Sequence, residues 1–404
     1  MKICLKMTGC KNNRYELDQI LRWAISNGVP VVNESEADFC IINTCTVTHV
    51  ADRKSRQLIR RTKNNNKRLK TIVFGCGARI QKEEFKKISE VDYLLPDIKS
   101  VIEFLKKQGS RRDAINRVST RTIRSRALVQ IQDGCDNFCT YCIIAHARGR
   151  SKNRRTDEII KEINDRIKEG YNEIVLTGIN IGAYGASSTK KPEESKFAEL
   201  LEEILNKTDI PRIRLSSLGP EYFSDGLFDA LKNPRICRHI HLSIQSGSNS
   251  VLKRMRRNYN VKKLEEIIKK LKKSIPGIAI TTDIIVGFPE ETDKEFKETL
   301  SFVKRAKLAK AHIFPYSVRK GTIASKMGQI SPEIKKKRVK ILQKEADKCR
   351  KEFLMGQIGK KTDVLWENEN EGLTDNYIRV RIKTLHKTRS ISTEKLSKNM
   401  VICD

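Results

Sequence analysis

Short apolar runs alternate with amphipathic helical patterns over the first hundred residues. From Tyr15 to Gly28, for example, apolar residues recur every three or four positions, and the glycine ends the pattern. The apolar runs predict strands at 2–7, 38–44, 70–75 and 91–96. Strands that alternate with helices are typical of a parallel sheet covered on both faces. The pattern therefore predicts a doubly wound α/β domain over residues 1–107.

A polar, arginine-rich stretch at 108–126 interrupts this alternation and predicts a linker. A second series of strand and helix patterns then covers residues 127–331. Its apolar runs predict strands at 127–132, 173–178, 212–217, 239–245, 279–288 and 311–317. Six successive βα units are the pattern of an incomplete barrel of parallel strands, so we predict a partial (β/α)6 barrel here.

The C-terminal part of the chain changes character. Residues 332–354 have the pattern of one long helix rich in lysine and arginine. Beyond it, residues 355–404 contain the short runs TDVLWE and YIRVRI, which indicate antiparallel strands. We therefore expect a basic linking helix followed by a small β-barrel.

The charge balance points to a polyanionic partner. The chain has 404 residues and a formal net charge of +32. Such an excess favours nucleic acid, because lysine and arginine release counterions from phosphate backbones when they bind. A lysine bias of the whole genome is the alternative explanation. An anionic membrane surface fits less well, since no clear amphipathic anchor is found.

The composition otherwise describes a soluble protein. The hydrophobic fraction is 38%, and no apolar run approaches the ~20 residues that span a bilayer. The first ten residues lack the apolar core of a signal peptide. We therefore expect a cytoplasmic protein without a membrane partner, in which the 11 cysteines are metal ligands or buried thiols rather than disulfides.

Three cysteines with the spacing C-x3-C-x2-C, namely Cys135, Cys139 and Cys142, follow the first strand of the predicted barrel. A structural zinc ion needs four ligands, and only His146 could complete such a set. A [4Fe–4S] cluster held by three cysteines leaves one iron open, and the rim of a barrel is where active sites collect. The open iron can take the amino and carboxylate groups of S-adenosylmethionine (SAM). The spacing and the partial barrel together resemble the radical SAM enzymes.

Residues at the predicted strand ends could hold SAM. In the radical SAM superfamily an aromatic residue often lies beside the adenine, and the loop after the second strand binds the amino group of SAM. An ordinary packing role or an ordinary βα turn is the alternative at each position. By this resemblance the candidate SAM contacts are Tyr141, Thr177, Gly178, Ser217 and Gln245.

A second set of cysteines lies in the N-terminal domain. Cys10, Cys45 and Cys76 each follow a different predicted strand. Because the carboxyl ends of parallel strands form one ligand crevice, we expect these thiols to converge. The alternative is three small buried side chains, since free cysteine is often buried. We favour a second [4Fe–4S] site, which would also have an open iron.

The chain resembles the methylthiotransferases of the radical SAM superfamily over nearly its whole length. The resemblance implies an N-terminal auxiliary-cluster domain, a radical SAM core and a C-terminal TRAM-like RNA-binding domain at 355–404. The stretches GCKNNRYE, NTCTVTHVADRKSRQLIRR and LTGINIGAYG are most similar to the MtaB-like branch. That branch modifies N6-threonylcarbamoyladenosine in tRNA.

The resemblance also implies a mechanism and partners. The implied reaction is methylthiolation of carbon-2 of N6-threonylcarbamoyladenosine at position 37, with two [4Fe–4S] clusters and two SAM molecules per turnover. The implied partners are tRNA and an electron donor such as flavodoxin or ferredoxin, and we expect a monomer. The threonylcarbamoyl group carries a carboxylate, for which the candidate contacts are Arg148, Arg150 and Arg319.

Other functions remain open at this point. The related branches modify N6-isopentenyladenosine at position 37 of tRNA, or a ribosomal protein. A radical SAM methyltransferase or a sulfur-inserting enzyme would keep the SAM cluster and could dispense with the N-terminal cysteines. A non-enzymatic RNA-binding protein with structural zinc would need a fourth ligand at each site.

Overall fold

The structure of the protein is a computed structural model, which describes residues 1–109, 125–188, 191–382 and, for the backbone alone, 400–403. The predicted linker at 108–126 falls almost wholly outside these ranges. The chain forms two compact units that are not contiguous in sequence. The first consists of the described parts of Met1–Ile123, with Gly134–Arg150 and Ser317–Ser325. The second consists of the described parts of Arg124–Asp133, Ser151–Tyr316 and Lys326–Asp404.

The first unit is built on a parallel sheet. Its elements are β1 (Ile3–Met7), α1 (Lys11–Ser26), β2 (Phe39–Thr44), α2 (His49–Asn65), β3 (Lys70–Gly75), α3 (Cys76–Ile80), α4 (Lys82–Lys86), β4 (Tyr93–Leu94), α5 (Ile98–Gln108) and α6 (Ile144–Arg148). The strands are ordered β1-β2-β3-β4 and all pairs are parallel.

Helices cover both faces of this sheet. One apolar core contains Leu17 and Ile20 of α1 and Leu105 of α5. The core on the other face contains Ile59 of α2 and Phe85 of α4. Alternate residues of β2 and β3 enter the two cores, because successive side chains of a strand point to opposite faces. The predicted doubly wound α/β arrangement is confirmed.

The second unit contains the other described strands and α-helices. They are β5 (Arg126–Gln130), β6 (Gln132–Asp133), β7 (Lys152–Asn153), α7 (Thr156–Lys168), β8 (Glu173–Thr177), α8 (Phe197–Lys207), β9 (Arg212–Leu215), β10 (Ser217–Leu218), α9 (Asp225–Ala230), β11 (His239–Gln245), α10 (Asn249–Arg254), α11 (Val261–Ser274), β12 (Ala279–Val286), α12 (Asp293–Ala306), β13 (Lys310–Pro315), α13 (Pro332–Met355), β14 (Val364–Trp366), β15 (Glu371–Thr374), β16 (Arg379–Ile382) and β17 (Met400–Cys403).

A parallel array of strands forms the centre of this unit. The described strands pair in the orders β5-β8-β9 and β10-β11-β12-β13, and one residue, Ser216, separates β9 from β10. On β11 the alternate residues Ile240, Leu242 and Ile244 lie in the apolar core. The intervening positions carry polar residues and face the inner side of the sheet. The predicted partial (β/α)6 barrel is confirmed.

The C-terminal strands form an antiparallel sheet ordered β14-β15-β16-β17, as expected for a small β-barrel. A buried ionic network connects this sheet to the parallel strands of the same unit. Glu173, which is fully buried, pairs with Arg212 at 2.9 Å and Arg214 at 2.7 Å. Arg214 also donates to the carbonyls of Thr374 and Asp375, both at 3.1 Å.

Over the ranges that the structure describes, no helix combines the length and the apolar character that a membrane crossing requires.

We predict that Arg214→Met lowers the free energy of unfolding by on the order of 3 kcal/mol, because it leaves the buried carboxylate of Glu173 with one cationic partner, Arg212, instead of two. Denaturation midpoints in urea measure this change. The matched control is Arg305→Met, which removes an exposed ion pair with Glu265 and should cost less than about 1 kcal/mol. Equal effects of the two substitutions would contradict the prediction.

Candidate functional site

The predicted N-terminal cysteines lie at the carboxyl end of the first unit's sheet. Cys10 is the residue before α1, Cys45 directly follows β2, and Cys76 begins α3. Gly9 has a φ of +122°, and a Cβ added to it would lie 2.9 Å from the Cβ of Cys45. The loop after β1 therefore needs glycine to come this close to the second cysteine. Sheet topology thus brings together thiols that are far apart in the sequence.

Burial raises the pKa of two of these thiols, Cys45 and Cys76. It raises the pKa of Cys76 to about 12, with Arg148 acting in the opposite direction. Burial also raises the pKa of Cys45, although the backbone N–H groups of Val47 and Thr46 donate to its sulfur and lower it. A bound metal deprotonates its thiol ligands outright, and N–H donors to sulfur are typical around iron–sulfur clusters. The donor set therefore fits an iron–sulfur cluster.

A buried polar network surrounds this site. Asn13 Nδ2 donates to Asn43 Oδ1 at 3.0 Å and to the carbonyl oxygen of Thr44 at 3.1 Å. Asn43 Nδ2 in turn donates to the carbonyl of Asn13 at 3.1 Å and to Glu16 Oε2 at 2.6 Å. Since Asn13 and Asn43 are each at most 1% exposed, these hydrogen bonds hold the ends of β2 and α1 in fixed positions.

The second cysteine trio lies on a loop closed by backbone hydrogen bonds. Cys135 N donates to the carbonyl of Gly149 at 3.0 Å, and Cys142 N to that of Cys139 at 3.0 Å. Asn137 N is 3.5 Å from the sulfur of Cys135 and donates to it. Cys139 is buried, whereas Cys135 and Cys142 are partly exposed. Backbone hydrogen bonds therefore hold the loop that presents the three thiols.

This loop belongs to the same compact unit as the N-terminal cysteines. Arg79 Nη1 donates to the carbonyl of Ala147 in α6 at 3.1 Å. Arg148, at the end of α6, pairs with Glu16 of α1 at 3.0 Å. The sequence assigned the loop to the barrel and did not predict these contacts.

Both trios consist of thiols alone. The ring of His146, which zinc would need as a fourth ligand, packs edge-on against Phe138 with centroids 6.0 Å apart. In the described part of the chain, no three Cys, His, Asp or Glu side chains form a group that could hold a single metal ion. In a [4Fe–4S] cluster each thiolate binds a different iron, so its ligands need not meet at one point.

Four of the five candidate SAM contacts lie at or next to strand ends, and the fifth lies on the cysteine loop. Tyr141 lies on the cysteine loop, partly exposed. Thr177 ends β8 and is buried, Ser217 begins β10, and Gln245 ends β11 with a φ of +69° beside a shift in register. Gly178 follows β8, and a Cβ there would lie 2.9 Å from a backbone oxygen. Their roles in SAM binding stay predictions.

Gln132 holds the loop that follows β8, a role that the sequence alone did not reveal. Its Oε1 accepts hydrogen bonds from the backbone N–H groups of Ile179 at 3.1 Å and Asn180 at 2.9 Å. Its Nε2 donates to Ser151 Oγ at 2.9 Å. The residue is fully buried. A polar residue at the end of an apolar strand pattern is the signal that could have identified it.

The three candidate substrate arginines differ in exposure. The Arg150 side chain is 71% exposed and pairs with Asp136 at 2.9 Å. The side chain of Arg148 is 1% exposed. Arg319 is also buried; it pairs with Asp52 at 2.7 Å and donates to the carbonyl of Thr46 at 2.9 Å. Substrate contact by any of the three stays a prediction.

Comparison with known families agrees with this architecture. The family described as the Radical SAM superfamily matches residues 129–303, and Uncharacterized protein family UPF0004 matches residues 2–96. Radical SAM enzymes use a [4Fe–4S] cluster and SAM, so both belong to this protein's chemistry. A solved structure of TsrM, a radical S-adenosylmethionine methyltransferase from Kitasatospora setae, has the same fold at 14% identity. Its TM-score is 0.59, over 80% of this chain and 77% of that chain.

Two curated relatives cover almost the whole chain. Threonylcarbamoyladenosine tRNA methylthiotransferase MtaB of Bacillus subtilis is 38% identical over 93% of this chain and 89% of its own length. A tRNA-2-methylthio-N(6)-dimethylallyladenosine synthase of Thermodesulfovibrio yellowstonii is 36% identical over 98% and 96%. The chain therefore belongs to the methylthiotransferase family of the radical SAM superfamily, within which it is MtaB-like.

Proposed function

We propose that this protein is a tRNA-modifying enzyme that places a methylthio group on carbon-2 of N6-threonylcarbamoyladenosine at position 37. The observation that carries the proposal is the presence of two cysteine trios in one compact unit of a radical SAM protein. The name of the Bacillus subtilis relative supports the choice of substrate. Modification of N6-isopentenyladenosine is the second candidate, because the Thermodesulfovibrio yellowstonii relative is named for N(6)-dimethylallyladenosine, which carries the same five-carbon group.

In this proposal Cys135, Cys139 and Cys142 hold the cluster that binds SAM, and Cys10, Cys45 and Cys76 hold an auxiliary cluster. Two SAM molecules are used in each turnover. When bound, the clusters and SAM supply the electron transfer and the sulfur chemistry that put the methylthio group on the adenine. The chain's own task is to hold the reactants in position and to exclude water.

The second unit offers a shaped surface for SAM. We propose that Thr177, Gly178, Ser217 and Gln245 contact it at the carboxyl ends of their strands. The role of Tyr141 as the aromatic residue beside the adenine stays a separate prediction from the superfamily resemblance. The missing side chain of glycine lets backbone N–H and C=O groups approach a ligand closely. Hydrogen bonds from the backbone of the loop after β8 to the buried side chain of Gln132 keep this loop in one conformation before SAM binds.

Recognition of the modified adenosine needs a cation for its carboxylate. Arg150 has an exposed guanidinium and is our first candidate. The planar guanidinium binds a carboxylate in a bidentate manner. Binding of the substrate carboxylate would therefore displace Asp136 from its ion pair with Arg150. Arg148 and Arg319 are held by partners inside the first unit, so direct contact with substrate would require these pairs to open.

We further propose that tRNA binds along α13 and the C-terminal sheet. We propose the functional domains that the sequence predicts: a cluster domain at 1–107, a core at 127–331, a linking helix at 332–354 and a TRAM-like domain at 355–404. Within the core, residues 134–150 and 317–325 pack in the same compact unit as the cluster domain. A flavodoxin or ferredoxin would serve as the electron donor. We expect a monomer that works in the cytoplasm, where its tRNA substrates are.

Loss of one cysteine should remove one cluster. We expect Cys139→Ala to abolish SAM cleavage, and Cys45→Ala to preserve SAM cleavage to 5′-deoxyadenosine but abolish methylthiolation. In each variant, iron and sulfide should fall from about eight to about four per chain. Elemental analysis and chromatography of the nucleoside products measure these outcomes.

The control for this pair is Cys349→Ala, which removes a buried thiol of α13 that donates to the carbonyl of Val303 at 3.7 Å. It should keep both clusters and form product. Methylthiolated product from Cys45→Ala would refute the assignment of the auxiliary site.

The exposed lysines of α13 should neutralise tRNA phosphates. They recur every three or four residues and so share one face of the helix. Substitution of three by glutamine should weaken tRNA binding and flatten its dependence on salt concentration, by about one unit of log–log slope for each phosphate that is no longer neutralised. Binding titrations at several salt concentrations measure both. The residues to change are Lys340, Lys344 and Lys348.

The control for this experiment makes the same charge change on a different exposed helix face, with Lys262, Lys269 and Lys273 of α11 each changed to glutamine. That variant should bind tRNA with the salt dependence of the parent protein. Equally weakened binding in both variants would show that tRNA responds to net charge alone and would contradict a specific role of α13.

The enzyme should discriminate between the two modified adenosines. A pocket built for a carboxylate leaves polar groups unpaired against an isopentenyl group, which disfavours that substrate by a factor of about ten thousand. Reconstituted enzyme is incubated with SAM, a reductant and either tRNA, and mass spectrometry detects the methylthio product. tRNA with unmodified adenosine at position 37 is the control. Efficient modification of isopentenyladenosine alone would overturn the proposed substrate while leaving the family intact.

A further inference from the structure

A permanent positive charge is buried in the first unit. Arg148 Nη1 donates to Glu16 Oε1 at 3.0 Å, and its Nη2 donates to Asn13 Oδ1 at 3.0 Å. The side chain is 1% exposed. Burial of a guanidinium is costly unless its N–H groups are paired, and arginine does not escape the cost by losing its proton. The two hydrogen bonds therefore hold a positive charge at a defined place inside the first unit.

Hydrogen bonds connect this charge to the auxiliary thiols. The oxygen of Asn13 that accepts from Arg148 also accepts from Cys10 Sγ at 3.5 Å. The same amide donates to the carbonyl of Thr8 at 3.2 Å and to that of Thr44, next to the second cysteine, at 3.1 Å. The guanidinium and the surroundings of two cysteines therefore belong to one hydrogen-bonded network.

Glu16 adds a negative charge to the same network. Its two carboxylate oxygens accept from Arg148 and from Asn43. Arg148 shares the oxygen of Asn13 with the Cys10 thiol and holds Glu16 with its other nitrogen, so both charges lie beside the auxiliary cysteines. A negative charge added at these cysteines is attracted by the guanidinium and repelled by the carboxylate.

We propose that Arg148 and Glu16 together set the reduction potential of the auxiliary cluster, with Arg148 as its countercharge and Glu16 as the opposing charge. The inference rests on the proposed function, since it requires a cluster on the N-terminal cysteines. Reduction adds negative charge, so a nearby cation makes it more favourable and a nearby anion makes it less so. Arg148 is thus a positioning residue, and through α6 it also anchors the loop that carries the other cysteine trio.

The test uses the full-length protein with Cys135, Cys139 and Cys142 all changed to alanine, so that the auxiliary cluster titrates alone. In this parent, redox titration followed by electron paramagnetic resonance gives the midpoint potential. We expect Arg148→Gln to shift the midpoint to more negative values and Glu16→Gln to shift it to more positive values. Arg148→Lys keeps the charge and should restore a midpoint close to that of the parent.

Arg79→Gln is the matched control. Arg79 also donates to α6, through the carbonyl of Ala147, but it is exposed and solvent screens its charge. Its removal should leave the midpoint unchanged. This variant therefore separates weaker attachment of α6 from a change in electrostatics.

Shifts of the same sign for Arg148→Gln and Glu16→Gln, or no shift for either, would overturn the inference. If Arg148→Gln fails to hold iron, the inference is judged from the other two variants. A positive shift of the midpoint for Glu16→Gln, together with a parental midpoint for Arg148→Lys, supports the tuning role. Any other result refutes that role. A parent protein without iron would instead refute the proposed auxiliary cluster. A parent with about four irons per chain and no opposing shifts refutes only the tuning role.

Discussion

Parallel pairing of β1, β2 and β3 places the carboxyl ends of all three strands at one edge of the sheet, and the chemistry of the first unit depends on this constraint. Each strand delivers one cysteine to that edge. The spacing of the three thiols is then controlled by strand register rather than by a short loop. A shift of register by one residue would displace one cysteine from the other two by about 3.3 Å along the strand direction.

The same edge must hold polar groups that are out of water. Asn13 and Asn43 hydrogen-bond to each other and to the backbone around the cysteines, so several hydrogen bonds hold this turn at once. Two buried ion pairs, Arg148 with Glu16 and Arg319 with Asp52, add segments that are distant in sequence to this unit. A buried ion pair contributes little net stability. Removal of one partner nevertheless lowers the free energy of unfolding strongly, because the other charge stays buried without its counterion. Such pairs therefore favour the one arrangement in which both charges are matched.

In the second unit, one face of the parallel strands packs against helices and the other face carries polar residues. The outward residues of the parallel strands are apolar and pack against helices, whereas inward positions such as His241, Asp283 and Gln245 are polar. At the opposite end of the strands, Glu173 and Arg214 attach the C-terminal sheet. A fold that places its apolar residues on the outer face keeps the inner face available for a polar ligand.

The sequence by itself determined the type and order of the elements, because hydrophobic periodicity is a local property that helices and strands impose directly. The sequence also identified both cysteine trios as candidate ligand sets. One trio shares a short local spacing, and each cysteine of the other follows a predicted strand. Only the tertiary structure decided the environment of Arg148 and Arg319, which the sequence suggested as contacts of the substrate carboxylate. Glu16 and Asp52 lie far from them along the chain, and burial of a charge depends on what other segments place around it.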